Sequence, residues 1–273
     1  MNFSERSAEQ KEHLLNTAIE AAILGGIKIL EVYESDFAVE HKDDKSPLTL
    51  ADKKAHEIIF DKLTATDLPI LSEEGREIPY EERSQWPLFW MVDPLDGTKE
   101  FVKRNGEFTV NIALIDGENP VLGVIYVPVK KILYYGYVGL GAYKLYNVET
   151  YDAKAAYQRA VNAERLPVEN KDRKFTIVAS RSHMSPETEA FIEGKRAEHG
   201  ELEMTSIGSS LKICLVAEGS ADVYPRYAPT MEWDTAAGHA IAVCANKDIL
   251  DRTTGKSMVY NKSDLLNNWF IVE

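Results

Sequence analysis

Trp90-Met91-Val92-Asp93-Pro94-Leu95-Asp96-Gly97-Thr98-Lys99-Glu100-Phe101 is the stretch from which the rest of this chain can be read. The apolar residues Leu88 to Val92 form a strand that ends in an aspartate. Pro94 fixes the exit direction, a second aspartate follows at 96, and Gly97-Thr98 opens what reads as a helix. That order sets two carboxylates beside the Leu95 carbonyl, just ahead of the free N–H groups of a helix start. Carboxylate and carbonyl oxygens suit Mg²⁺, and helix N-termini suit phosphate.

Upstream, Ala8 to Tyr33 reads as one long helix and Thr49 to Leu63 as a second, with Asp52 in its first turn. Pro69 to Ser72 is a short strand. Downstream, Phe108–Ile115, Val121–Val127, Ile132–Val138 and Ala142–Tyr146 are rich in Val, Ile and Tyr and separated by Gly, Asn and Pro, the pattern of an antiparallel meander. Residues 147–174 are charged and irregular and mark the boundary between two halves, 1–165 and 166–273. In the second half, strands at 175–179, 203–206 and 221–224 alternate with helices at 186–196, 209–217 and 234–245. The fold class is therefore α/β, a mixed α+β half followed by an α/β half.

With 273 residues, 44% apolar and 27% charged, the chain has the composition of a soluble globular protein. A net charge of −13 argues against coating a nucleic-acid polymer, which needs a basic face, but permits a small anionic ligand beside local cations or metals. Cys214 and Cys244 lie in apolar, helix-like stretches and read as buried reduced thiols, and six scattered histidines give no zinc spacing. The polar start lacks a signal-peptide core. Glu20, Lys28 and Glu31 interrupt Ala18–Val32, so it is an amphipathic helix rather than a membrane span. The expected location is the cytoplasm, with peripheral contact at the cytoplasmic face of the inner membrane left open; oligomeric state is not legible.

Acidic residues stand at the mouths of several elements: Asp52, Glu73-Glu74, Asp93 with Asp96, and Asp234. Asp52 and Asp234 each have an ordinary reading as helix caps, and Glu73-Glu74 as a solvated strand end. Asp93 and Asp96 do not have the spacing of a calcium loop. Together the acids suggest a two-metal phosphatase centre, which clamps attacking and leaving oxygens with ions roughly 3.5–4 Å apart. Neighbouring glutamates on a strand point to opposite faces, so one of the Glu73-Glu74 pair reaches a given ion. Thr98 is placed to hydrogen-bond a water, with Asp52 to orient it or accept a proton, although helix capping also accounts for Thr98.

Ser72-Glu73-Glu74, Asp93 to Thr98 and Trp233-Asp234, in that order, resemble the metal-dependent, lithium-sensitive phosphatase superfamily that contains inositol monophosphatase. Its pattern is Glu-Glu, Asp-Pro-[Ile/Leu]-Asp-Gly-Thr and a distal Trp-Asp. Within it the chain looks closer to the 3'(2'),5'-bisphosphate nucleotidases of the CysQ type. That likeness runs through Leu48–Asp52, Leu71–Glu74, Asp93–Phe101, Arg104–Leu114, Ser180-Arg181-Ser182-His183, Ser206–Lys212 and Trp233–His239. Residues 147–170 match no motif. The resemblance implies a layered αβαβα fold, and Mg²⁺, two ions or more, held by Glu73, Asp93, Asp96, Asp234 and the Leu95 carbonyl. It implies that Asp52 and Thr98 act on the water, and that Gly97, Thr98, His183, Gly208, Lys212 and Asp234 line the substrate, with Lys212, Arg181 and Arg226 candidates for a second phosphate. The implied reaction is hydrolysis of 3'-phosphoadenosine 5'-phosphate to AMP and phosphate in sulfur assimilation, with inhibition by lithium. The alternatives are an inositol or sugar-phosphate phosphatase and a non-catalytic phospholigand-binding protein.

Overall fold

Ser7 opens the first helix: its hydroxyl accepts the Gln10 N–H, and the Gln10 side chain accepts the Ser7 N–H. This helix, α1 (Ala8–Tyr33), buries Leu14, Leu15, Ala18, Ile19 and Ala22 on one face. It packs against α2 (Pro47–Thr64), where a Cβ at Gly25 would lie 2.7 Å from Ile59 Cδ1. The structure, a computed structural model, describes residues 2–35, 47–151, 162–168, 172–179 and 185–273. Because α2 begins at Pro47, a residue suited to a helix start, Asp52 lies beyond the first turn and not within it as the sequence suggested.

Seven strands follow in one sheet whose spatial order is their chain order: β1 (Ile70–Ser72), β2 (Leu88–Asp96), β3 (Thr109–Asp116), β4 (Asn119–Val127), β5 (Ile132–Tyr137), β6 (Gly141–Leu145) and β7 (Glu164–Leu166). Only the β1–β2 pair is parallel. The meander thus begins at β2 rather than at Phe108. Short helices α3 (Tyr80–Arg83) and α4 (Thr98–Val102) flank β2.

The two-residue period of the strands divides the core. Leu88, Trp90 and Val92, with Ile112, Leu114 and Val124, face α1 and α2. Phe89, Met91, Ala113 and Ile125 face the other way, onto α6 (Leu211–Ala217) and α7 (Glu232–Cys244). These two helices are in turn covered by Tyr224, Ile249, Phe270 and Val272. The last residues belong to a second layer of strands: β8 (Thr176–Val178) with β9 (Glu203–Thr205), and β10 (Tyr224–Arg226), β12 (Phe270–Val272) and β11 (Ile249–Asp251). An Ile177–Val223 bridge joins the two groups. Ile192 of α5 (Pro186–His199) packs with Ile177, Val223 and Ile271 on their outer face. The result is the expected α–β–α–β–α layering. The helix expected from Ser209 starts at Leu211 because Ser209 sits at φ +48°, outside helical space. The strand expected at 221–224 runs 224–226. Part of the 147–174 stretch lies outside the described residues.

Candidate metal and phosphate site

The strand β2 carries a one-residue irregularity at the critical place. Asp93 pairs with Asn111 and Asp96 with Thr109, so three steps on β2 oppose two on β3. In a regular strand, residues three apart face opposite sides. Here the extra residue turns both aspartates to the side of Thr109 and Asn111, toward α6 and α7. The Asp93 Oδ1 atom accepts the Leu95 N–H at 3.0 Å across the bend. Gly97 then caps α4 at φ +95°, a conformation that favours glycine.

Three carboxylates converge. Ligand oxygens of Glu73, at the end of β1, of Asp93 and of Asp234, in the first turn of α7, lie within 4.8 Å of one another. Glu73 is exposed at the mouth, Asp93 is buried and Asp234 is half-buried. The Asp234 Oδ2 atom accepts the Met231 N–H at 2.8 Å, so the capping role read from sequence coexists with membership of the cluster. Asp96 stands beside the trio, with Oδ2 held by the Ser210 N–H at 2.5 Å and approached by Asn111 Nδ2 at 3.4 Å. Glu74 is not one of the trio, and its carboxylate meets Asp52.

Burial and mutual repulsion act together on these groups. The Asp93 carboxyl is pushed well above the usual carboxylate range by burial and then by the charges of Asp96, Glu73 and Asp234. Asp234 is pushed up to about 7, by burial first and Asp96 next. Burial, reinforced by Glu74 and Glu73, pushes Asp52 up to about 8. Among the described residues, no lysine or arginine forms an ion pair with Glu73, Asp93 or Asp234, and Asp52 Oδ1 is buried without a hydrogen-bond partner. An all-oxygen donor set with uncompensated charge fits a hard divalent cation.

Next to the cluster is a cavity of about 270 Å³, whose wall includes Asp96, Thr98, Ser209, Lys212, Arg226 and Asp234. Thr98 is exposed at the start of α4. The Lys212 ammonium donates to the Ser209 carbonyl at 2.7 Å. Burial lowers its pKa to about 8, with Asp96 pulling up and Arg226 pushing down. Arg226 donates to the Pro229 carbonyl, while its Nε is buried without a partner. Gly208 is not part of the wall. Its N–H is taken by Glu107 at 2.9 Å, and a Cβ there would lie 2.3 Å from Glu100 Cγ. Leu95 has a buried side chain and lies in the bend between the aspartates. Arg181 and His183 lie outside the described residues.

Three residues of the site were not singled out in the sequence. Ser210 and Asn111 orient Asp96, and Ser210 Oγ donates to Asn111 Oδ1 at 2.9 Å. Ser209 lines the cavity with a buried hydroxyl that has no partner. The segments that contain them match the family pattern, which was the available signal.

A sequence model described as the inositol monophosphatase family matches residues 10–270. The protein named 3'(2'),5'-bisphosphate nucleotidase CysQ in Salmonella typhimurium is 46% identical, over 95% of this chain and 99% of that protein. The protein of the same name in Escherichia coli K12 is 44% identical over the same shares. Among solved structures, CysQ from Bacteroides thetaiotaomicron, described as a bacterial member of the inositol monophosphatase family, superposes with a TM-score of 0.90 at 54% identity, covering 94% of this chain and 95% of that one.

Proposed function

This chain belongs to the inositol monophosphatase family, and from that premise we propose that it is a Mg²⁺-dependent 3'(2'),5'-bisphosphate nucleotidase that converts 3'-phosphoadenosine 5'-phosphate to AMP and phosphate. The observation that carries the substrate is the cavity wall: Lys212, Arg226 and the unpartnered Ser209 hydroxyl stand in the same cavity as Asp96 and Asp234. A simple monoester would leave those cations unmatched, whereas a second phosphate would meet them.

Glu73, Asp93, Asp96, Asp234 and the Leu95 carbonyl would hold the cations. Bound there, divalent ions supply charge neutralisation for the phosphoryl oxygens and ease deprotonation of water. Thr98 orients the attacking water through its hydroxyl, and the ionised form of Asp52 accepts the proton. The water oxygen bonds to phosphorus, the bond from phosphorus to the ribose 3'-oxygen breaks, and that oxygen takes a proton from solvent water, while the proton held by Asp52 returns to solvent. Backbone N–H groups at Gly97 and Thr98 face the phosphoryl oxygens. Lys212 and Arg226 hold the 5'-phosphate, with Arg181 a further candidate for that phosphate and His183 for a contact along the nucleotide. In this reading residues 1–165 supply most of the metal cradle, and residues 166–273 the substrate wall and the last carboxylate. No helix among the described residues is long and apolar enough to cross a membrane, and we place the reaction in the cytoplasm, serving sulfur assimilation.

The test is phosphate release from 3'-phosphoadenosine 5'-phosphate against inositol 1-phosphate, with Mg²⁺ present. A strong preference for the nucleotide is expected. A preference for the inositol ester would move the enzyme to sugar phosphates and remove the assigned roles of Lys212 and His183.

A further inference from the structure

Two charged groups of the cavity wall, the exposed Lys99 and the half-buried Glu100, have no part in the chemistry above. Glu100 lies in the first turn of α4, half-buried, on the same wall as Asp96, Thr98 and Lys212. A glutamate at this position ordinarily closes a capping box or complements the helix dipole. Glu100 closes no box, because its carboxylate makes no hydrogen bond to the Gly97 N–H, nor to any other group among the described residues. Among the described residues it forms no ion pair either, although its charge is felt by both Asp96 and Lys212. The Lys212 ammonium is engaged by the Ile207 and Ser209 carbonyls.

The side chain is nevertheless held in place. Its Cγ packs over Gly208, where a Cβ would lie 2.3 Å away, and Gly208 is itself tied to Glu107. A fixed, unpartnered carboxylate on the wall of a site for a polyanion raises the energy of any ligand that presents a phosphate to it. It lowers the energy of one that presents a hydrogen-bond donor. A Cβ on Gly97 would lie 3.4 Å from Glu100 Oε2, which sets the carboxylate beside the Gly97-Thr98 turn assigned above to the phosphate being removed, with Lys212 also within reach of its charge.

We propose that Glu100 is a specificity-determining residue that accepts a hydrogen bond from the sugar hydroxyl vicinal to the scissile phosphate, the ribose 2'-hydroxyl of the nucleotide. The proposal rests on the bisphosphate nucleotidase reading. Glu100 then rejects ligands that carry a second phosphate, or no donor, at the vicinal position, a selection that the cations of the wall cannot make.

The experiment compares kcat/KM for adenosine 3',5'-bisphosphate and its 2'-deoxy analogue in the wild type, Glu100→Ala and Glu100→Gln. The wild type is expected to favour the ribonucleotide by about 10- to 100-fold, the value of a hydrogen bond to a charged group. In Glu100→Ala the ratio falls toward one, chiefly through loss on the ribonucleotide. Glu100→Gln, which keeps an acceptor oxygen, restores part of the ratio. A wild-type ratio near one, or a ratio that survives in Glu100→Ala, overturns the proposal while leaving the nucleotidase reading intact. If Glu100 acts through charge alone, both variants change both substrates equally, and the proposal again falls. Failure of the wild type to hydrolyse either nucleotide, with turnover of inositol 1-phosphate, removes the nucleotidase reading and this proposal with it.

Discussion

Lys212 is the side chain on which opposing demands meet. Burial removes hydration from its ammonium and brings its pKa down to about 8, while the nearby Asp96 favours the charged form and Arg226 opposes it. Two backbone carbonyls satisfy the ammonium geometrically but do not cancel its charge. A phosphate that arrives beside it does both. Lys212→Ala is therefore expected to raise KM for adenosine 3',5'-bisphosphate by about 10- to 100-fold, and KM for adenosine 3'-monophosphate by much less. Parallel steady-state kinetics on the two substrates check this, and equal effects would reject Lys212 as the second-phosphate contact. The wild-type KM for the bisphosphate should also rise above about pH 8, as the ammonium loses its proton. Lys212 could be singled out in the sequence because it lies in a recognisable segment and its chemistry is that of its side chain. Ser209 could not. What marks it is a left-handed backbone and a hydroxyl left without a partner, and both depend on how α6 meets Gly97 in three dimensions.

Elements bring these residues together, and here the sequence was legible up to the point where periodicity stops. The continuous apolar run from Leu88 to Val92 identifies β2 as a strand buried on both faces, and the structure divides it between the two cores. It cannot show that the strand continues to Asp96, because Pro94 cannot donate and the irregularity hides the phase of the residues beyond it. That hidden phase turns Asp93 and Asp96 to one side. Asp234 depends on a different contact, the seating of α7 on the sheet. β4 approaches α7 so closely at Gly123 that a Cβ would lie 2.2 Å from the Ala237 carbonyl oxygen and 3.0 Å from Ala240 Cβ. The obstacle is helix backbone, which cannot turn aside as a side-chain end would. Gly123→Ala should displace α7 and cost about 1–3 kcal/mol, seen as a lower denaturant midpoint. Because Asp234 lies in the first turn of α7, Mg²⁺ affinity measured by calorimetry should weaken in the same variant. An unchanged midpoint with unchanged Mg²⁺ affinity would show that the helix tolerates the methyl group and that its seating does not set the position of Asp234.

The whole molecule concentrates negative charge in one place: α2, the end of β1, β2 and α7 each deliver a carboxylate to a common centre in a chain that already carries a net charge of −13. The order of motifs made the set of acids legible, and the alternation of elements made the layers legible. How strongly the acids repel one another was not, because it depends on burial. The folded protein without metal holds Asp52 at about 8 and Asp234 at about 7, whereas an unfolded chain would hold both near 4. Below about pH 4 these groups are protonated in both states and do not affect stability. Between about pH 4 and pH 8 the unfolded chain releases protons that the folded chain retains, so stability falls as pH rises through that window. A bound divalent cation removes the repulsion, and it competes with protons for the same oxygens. At a fixed concentration Mg²⁺ should therefore stabilise the protein more at pH 8 than at pH 5; where it stands at a hundredfold excess over its pH 8 Kd, the gain at pH 8 is roughly 5–10 °C in melting temperature, and at pH 5 it is smaller. Thermal unfolding in chelator and in Mg²⁺ at the two pH values measures the difference directly. Equal stabilisation at both would mean that the carboxylates do not share protons and cation as their convergence requires, and a larger effect at pH 5 would place the cation elsewhere in the molecule.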